Sequence, residues 1–142
     1  MTGGKSSDPA ARSAEPATAE RAAADRQRER RRRYRRGHWA ELLAVAMLTS
    51  KGYRVLGRRV VTASGEIDLI AVRGQRLAFV EVKRRATRAA AEASVGDQQR
   101  RRVRRAADLW LAGHGRYRQH DLCFDLVFVL PWRWPEHLEN AL

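Results

Sequence analysis

The chain has a single cysteine, Cys123, in 142 residues. It can form neither an intrachain disulfide nor a four-thiolate metal site. Cys123 lies in the apolar run DLCFDLVFVL, where a buried thiol is expected. The histidines His38, His114, His120 and His137 are scattered without a zinc spacing, so a histidine-based site is not indicated. There is no phosphate-loop glycine pattern and no dinucleotide fingerprint, and hence no sign of ATP-driven or redox chemistry. No apolar run is long enough to span a bilayer. No apolar block precedes the N-terminal arginines, which argues against a secretory signal, and a cytoplasmic location is the expectation. Residues 1–25 carry no large apolar side chain after Met1. Such a composition cannot offset the entropy lost on ordering.

Lysine is scarce too: Lys5, Lys51 and Lys83 are the only ones, and the formal net charge of +13 rests on arginine. The guanidinium fork matches phosphate geometry, so nucleic acid is the expected partner, and no membrane partner is expected. The stretch RQRERRRRYRR holds eight arginines in eleven residues. It repels itself, and residues 1–36 read as a disordered arginine-rich arm. Phosphate contacts of that kind position a protein without reading bases.

Residues 37–142 have the apolar content for one α/β domain. HWAELLAVAMLTSKG predicts a helix with Trp39, Leu42, Leu43, Ala46 and Met47 at helical spacing and Gly52 as the stop. YRVLGRRV, GEIDLIAV and RLAFVEVK predict strands, the last two joined by a turn at Arg73-Gly74-Gln75. A loop or short helix follows, then a helix over 97–112 with Val103, Ala106, Ala107, Trp110 and Leu111 on one side. LCFDLVFVL predicts another strand, and EHLENAL a short C-terminal helix against which Trp132 and Trp134 would pack. The order α-β-β-β-α-β implies a mixed sheet with helices packed on it in two layers.

Within two greasy strands stand Glu66, Asp68, Glu81 and Lys83. Alternation puts Glu66 and Asp68 on a face with Ile70 and Val72, opposite Ile67, Leu69 and Ala71. Antiparallel pairing through the turn would bring Asp68 across from Glu81. Two such carboxylates repel, and Mg²⁺ or Mn²⁺ would hold them, since both favour oxygen ligands. Lys83, two residues from Glu81 on the same face, could steady charge building on phosphorus. Alternating Glu-x-Lys also suits a solvated edge strand, but Asp68 sits in a run that reads as central. Glu41, on a partly apolar side of the first helix, could join the cluster or pair with an arginine. Gln99 faces inward on the second long helix and could reach over the carboxylates. Arg84 and Arg85 follow Lys83. Arg100, Arg101, Arg102, Arg104 and Arg105 would form a ridge binding nucleic-acid backbone beside the site.

GEIDLIA, FVEVKRR, FDLVFV and HLENAL, with the opening GHWAELLAVAMLTSKGYRVL, resemble the YraN-like family (uncharacterised protein family 0102). That family is similar to the PD-(D/E)XK nuclease superfamily and its Holliday-junction resolvase branch. The resemblance implies a bacterial protein with a restriction-endonuclease-like (resolvase-like) fold. It also implies a metal-dependent endonuclease acting on DNA, branched or junction DNA included. By the same likeness, Glu41, Asp68 and Glu81 would be metal residues, and Glu41, Asp68, Glu81 and Lys83 catalytic ones; Gln99 joins the catalytic candidates from its inward place on the helix alone. The superfamily's proline before the aspartate is replaced by Ile67. Relatives often have a lysine where this chain has Gln98-Gln99, and Arg-Phe-Asp where it has Cys123-Phe124-Asp125. A non-catalytic nucleic-acid-binding protein on a nuclease scaffold and an RNA-binding or RNA-processing protein are the alternatives. The sequence does not fix the oligomeric state; a homodimer would present two sites to two arms of a junction.

Overall fold

The computed structural model describes residues 15–142. The chain divides into two units, Met1–Arg36 and Gly37–Leu142. Helix α1 spans Glu15–Ser50. Within the first unit the described side chains of residues 20–35 are exposed. The expectation of a disordered arm over residues 1–14 lies outside the described residues, and from Glu15 the arginine-rich segment is helical.

In the second unit β1 (Arg54–Thr62), β2 (Gly65–Arg73) and β3 (Arg76–Arg84) form an antiparallel meander. Helices α2 (Arg88–Ala93) and α3 (Asp97–Ala112) then carry the chain to β4 (Asp121–Val129), which pairs parallel to β3. Strand β5 (Glu136–Leu138) closes the order β1-β2-β3-β4-β5 by pairing antiparallel to β4. This is the mixed, helix-flanked sheet of the resolvase-like α/β class. The turn between β2 and β3 is at Gly74, whose φ of 59° is cheap for glycine.

The helices cover both faces of the sheet, a correction to the two-layer expectation. Ile70, Val72, Leu77, Phe79 and Phe128 pack with Val103, Ala106, Ala107, Trp110 and Leu111 of α3. Leu69, Ala71, Ala78, Val80 and Val127 pack with Ala40, Ala44, Met47 and Leu48 of α1. Strands apolar on both sides need two covers. The buried stripe of α1 also differs from the expected one. Trp39 is 66% exposed and Leu43 lies outward, because Ala40 and Ala44 face the sheet at the same spacing. Ile67, expected opposite Ile70, joins the Ile70 cluster instead. Its neighbour Asp68 stands opposite Arg59, whose φ is 50°, and the pairs Arg58↔Leu69 and Val60↔Ile67 flank a skipped position. The local break in the ladder turns the strand about Asp68.

The C-terminal segment is corrected from helix to strand, and a buried polar knot explains why. Asp125 on β4 is completely buried. It accepts hydrogen bonds from Arg76 Nη2 at 2.7 Å, His137 Nε2 at 2.8 Å and the Asn140 N–H at 2.8 Å. Burial alone would push its carboxyl up, but those three donors outweigh it and hold Asp125 below the usual carboxylate range. His137 can reach Asp125 only from a strand laid against β4, as the Val127↔His137 pair requires. Asn140, at φ 51°, then bends the chain so that Leu142 joins the α3-side core. Cys123 is buried and reduced, its thiol pushed up by burial.

Candidate active site where two strands part

The β2–β3 ladder ends at Leu69↔Val80. The next facing positions are Asp68 and Glu81, and there the strands separate. Asp68 Oδ2 accepts the Val82 backbone N–H at 2.8 Å, so a carboxylate stands where a ladder bond would run. Strand β2 starts and β3 finishes at this end of the sheet, which gathers Glu66, Asp68, Glu81 and Lys83 from the two strands.

Glu81, 7% exposed, is held from the α3 side. Gln99 Nε2 donates to its Oε1 at 2.6 Å, and Lys83 Nζ lies 3.1 Å from the same oxygen. Arg102 Nη2 approaches Oε2 at 3.4 Å, while its Nη1 donates to the Glu66 carbonyl at 2.7 Å. Arg102 thus bridges the separated strands. Gly65 makes room for it. A Cβ there would come within 2.9 Å of Arg102 Nη1 and 3.2 Å of its Cδ, at a backbone φ of 132°. Gly65→Ala is therefore expected to cost about 1–3 kcal/mol of stability, read by urea denaturation. A variant as stable as the parent would show that this crowding is relieved cheaply.

Glu41 reaches the site from α1. It is buried, with Arg59 Nε 3.8 Å from its Oε1, and Arg59 also donates to Glu66 Oε1 at 3.3 Å. The other oxygen, Glu41 Oε2, is buried and has no hydrogen-bond partner among the described residues. These carboxylates act on Asp68. Burial first, then the Glu81 and Glu41 charges, push its carboxyl up to about 7, against the Val82 N–H and Lys83. Glu41, Asp68, Glu81 and Lys83 are therefore electrostatically linked, and Gln99 joins them through Glu81.

Among the described residues no group of three or more His, Cys, Asp or Glu side chains is arranged to hold a metal ion. Both oxygens of Glu81 are engaged, by Gln99, Lys83 and Arg102. The donor chemistry still suits a hard divalent cation. Glu41 Oε2, without a hydrogen-bond partner among the described residues, and the Asp68 carboxyl beside it are oxygen donors of the kind such an ion takes.

The basic residues divide. Arg84, Arg85, Arg100, Arg101, Arg104 and Arg105 are exposed. Arg102 turns inward to Glu81, and Arg104 donates to the Leu142 carbonyl while its guanidinium lies 4.5 Å from the centre of the Phe124 ring. Sequence reasoning placed Arg102 and Arg104 in a phosphate ridge and missed these bonds. Gly65, directly before Glu66, was the available signal for a side chain crossing at close range.

A model of the uncharacterised protein family UPF0102 matches residues 40–129. The chain belongs to that family. It is 54% identical over 106 residues to a UPF0102 protein of Maricaulis maris, covering 75% of this chain and 84% of that one. It is 52% identical over 107 residues to a UPF0102 protein of Mesorhizobium japonicum, covering 75% and 86%. A UPF0102 protein of Methylorubrum extorquens is 54% identical over 106 residues, covering 75% and 83%. UPF0102, the YraN-like group, is generally associated with the PD-(D/E)XK nuclease superfamily. The UPF0102 match takes in Glu41, Asp68, Glu81, Lys83 and Gln99; the arginine-rich arm and the segment after β4 lie outside it. No helix among the described residues is long and apolar enough to cross a membrane.

Proposed function

We propose that this UPF0102 chain is a divalent-metal-dependent endonuclease that hydrolyses phosphodiester bonds in DNA, branched DNA included. The observation that carries the reading is geometric: half-buried Asp68 and buried Glu81 and Glu41 meet where β2 and β3 part, with Lys83 Nζ 3.1 Å from Glu81 Oε1. Glu41, Asp68 and Glu81 would hold Mg²⁺ or Mn²⁺. When bound, the ion would supply Lewis acidity toward a phosphoryl oxygen. Gln99 orients Glu81 through the bond to Oε1. Lys83 Nζ lies 3.1 Å from Glu81 Oε1, where it can stabilise charge developing on the scissile phosphate. Exposed Arg84, Arg85, Arg100, Arg101 and Arg105 supply sequence-independent attraction for the backbone.

Purified protein incubated with branched and linear DNA, with and without Mg²⁺ or Mn²⁺, tests the reading. Metal-dependent cleavage that disappears in Asp68→Ala and Glu81→Ala is expected; cleavage that persists in both removes the assignment. Lys83→Met should lower single-turnover cleavage by about 10²-fold or more while DNA affinity in chelator changes little. A second reading, a nucleic-acid-binding protein without turnover, is favoured by the three donors already occupying Glu81. It predicts salt-sensitive binding and no cleavage under any metal.

A further inference from the structure

Strands β4 and β5 form a hairpin whose connecting residues 130–135 read Leu-Pro-Trp-Arg-Trp-Pro. The two tryptophans do not pack on the sheet, as the sequence reading expected. Trp132 is fully exposed and Trp134 is 61% exposed. Arg133 between them is exposed as well, while Leu130 and Pro135 are buried at the base of the tip. Trp132 also adopts a φ of 58°. A bulky residue in the left-handed region is an outlier, and such outliers gather where the backbone is held for a purpose.

The tip is braced on both sides. The Arg85 N–H donates to the Val129 carbonyl on its entry side. Arg88 Nη1 donates to Glu136 Oε2 at 2.7 Å on its exit side. The parallel register pairs Lys83 with Phe128 and Arg84 with Val129. The tip therefore leaves the sheet one residue beyond Lys83, at the end where β2 and β3 part. Glu81 lies three residues back along β3 from Arg84, roughly 10 Å at the strand rise.

A single exposed apolar side chain is unremarkable. Two indoles on a braced tip, with Arg133 between them and Arg84 and Arg85 alongside, form a surface of a different kind. Aromatic faces stack on bases of any sequence, and adjoining arginines track the phosphates. Paired bases are stacked on each other and offer no free face to an indole, whereas unpaired bases do. We infer that the β4–β5 hairpin tip is a binding subsite for unpaired bases of a DNA strand, with Trp132 and Trp134 as stacking residues and Arg84, Arg85 and Arg133 meeting the backbone. This rests on the nucleic-acid reading above and adds a preference to it: DNA with a single-stranded segment next to the site would be favoured over blunt duplex.

Fluorescence anisotropy in chelator, with labelled oligo-dT and a labelled blunt duplex of the same length, tests the inference on the full chain. The double variant Trp132→Ala, Trp134→Ala should bind oligo-dT about tenfold or more weakly than the parent. Its affinity for the blunt duplex should stay within about twofold. Trp132→Phe, Trp134→Phe should recover most of the loss, because phenylalanine keeps a stacking face. Circular dichroism melting should move little, since neither indole supports the core. If parent and variants bind both DNAs alike, the tip is no subsite while the nucleic-acid reading stands. If the parent binds neither DNA, both readings fall. Tryptophan-dependent binding to phosphatidylglycerol vesicles with none to oligo-dT would reassign the tip to a lipid surface and overturn the inference.

Discussion

Asp68→Asn is expected to lower metal-dependent cleavage by about 10²–10³-fold and, at neutral pH, to make the protein more stable. The two effects have one cause. The side-chain amide oxygen of the variant can still accept the Val82 N–H that Asp68 takes at 2.8 Å, but the amide carries no charge to be desolvated beside Glu81 and Glu41. In the folded chain Asp68 titrates near 7, against 3.8 for the free side chain. As pH rises the unfolded chain gives up this proton first. The stability associated with the neutral carboxyl is whole below about 3.8, declines across the interval, and is gone above about 7. The loss is on the order of a few kcal/mol. The stability difference, variant minus parent, should therefore grow from pH 4 to pH 7 and then level off, as read by urea denaturation. Parallel pH courses for the two proteins would show that Asp68 is not strained by its neighbours. Mn²⁺ added at pH 7 should raise the melting temperature of the parent and leave that of the variant nearly unchanged.

Asp125→Ala should do the reverse to the fold, costing about 3–5 kcal/mol. It would leave the Arg76 guanidinium, the His137 ring and the Asn140 N–H without their common acceptor. His137 has a side chain with no solvent exposure, so water cannot replace the lost bond. Asp125 has a lowered pKa. Its contribution is therefore present above the ordinary 3.8 and lost as pH falls through the lower folded value. Acid should thus remove the Asp125 contribution in the parent and not in the variant. A loss below about 1 kcal/mol on substitution would mean that the knot is not what keeps β5 on β4.

Helix α3 was legible because its stripe is regular and its bounds carry signals: Gly96 precedes the helix, Gly113 follows it, and Val103 to Leu111 recur at helical spacing. The β2–β3 hairpin was legible from its turn, and the candidate residues from charges placed in apolar strands. Other features depend on distant partners. Nothing local in EHLENAL opposes a helix; the decisive contact is with Asp125, twelve residues before His137. The choice between Trp39 and Ala40 as the buried position on α1 depends on how closely the helix approaches the sheet. The reversal at Ile67 arises from the unpaired position at Asp68, which strand alternation cannot anticipate. The engagement of Glu81 by Gln99, Lys83 and Arg102 needs β3 and α3 in register, and no short motif encodes it.

Strand β1 lies at the outer margin of the sheet, with its ladder shifted between Val55 and Gly57 and its backbone turned left-handed at Arg59. A neighbouring polypeptide seeking to add itself there would need an unbroken row of amides and carbonyls. It would meet two interruptions within five residues and the exposed arginine side chains of Arg54 and Arg58. The irregularity that accompanies Asp68's departure from the ladder therefore also protects this flank against intermolecular strand addition.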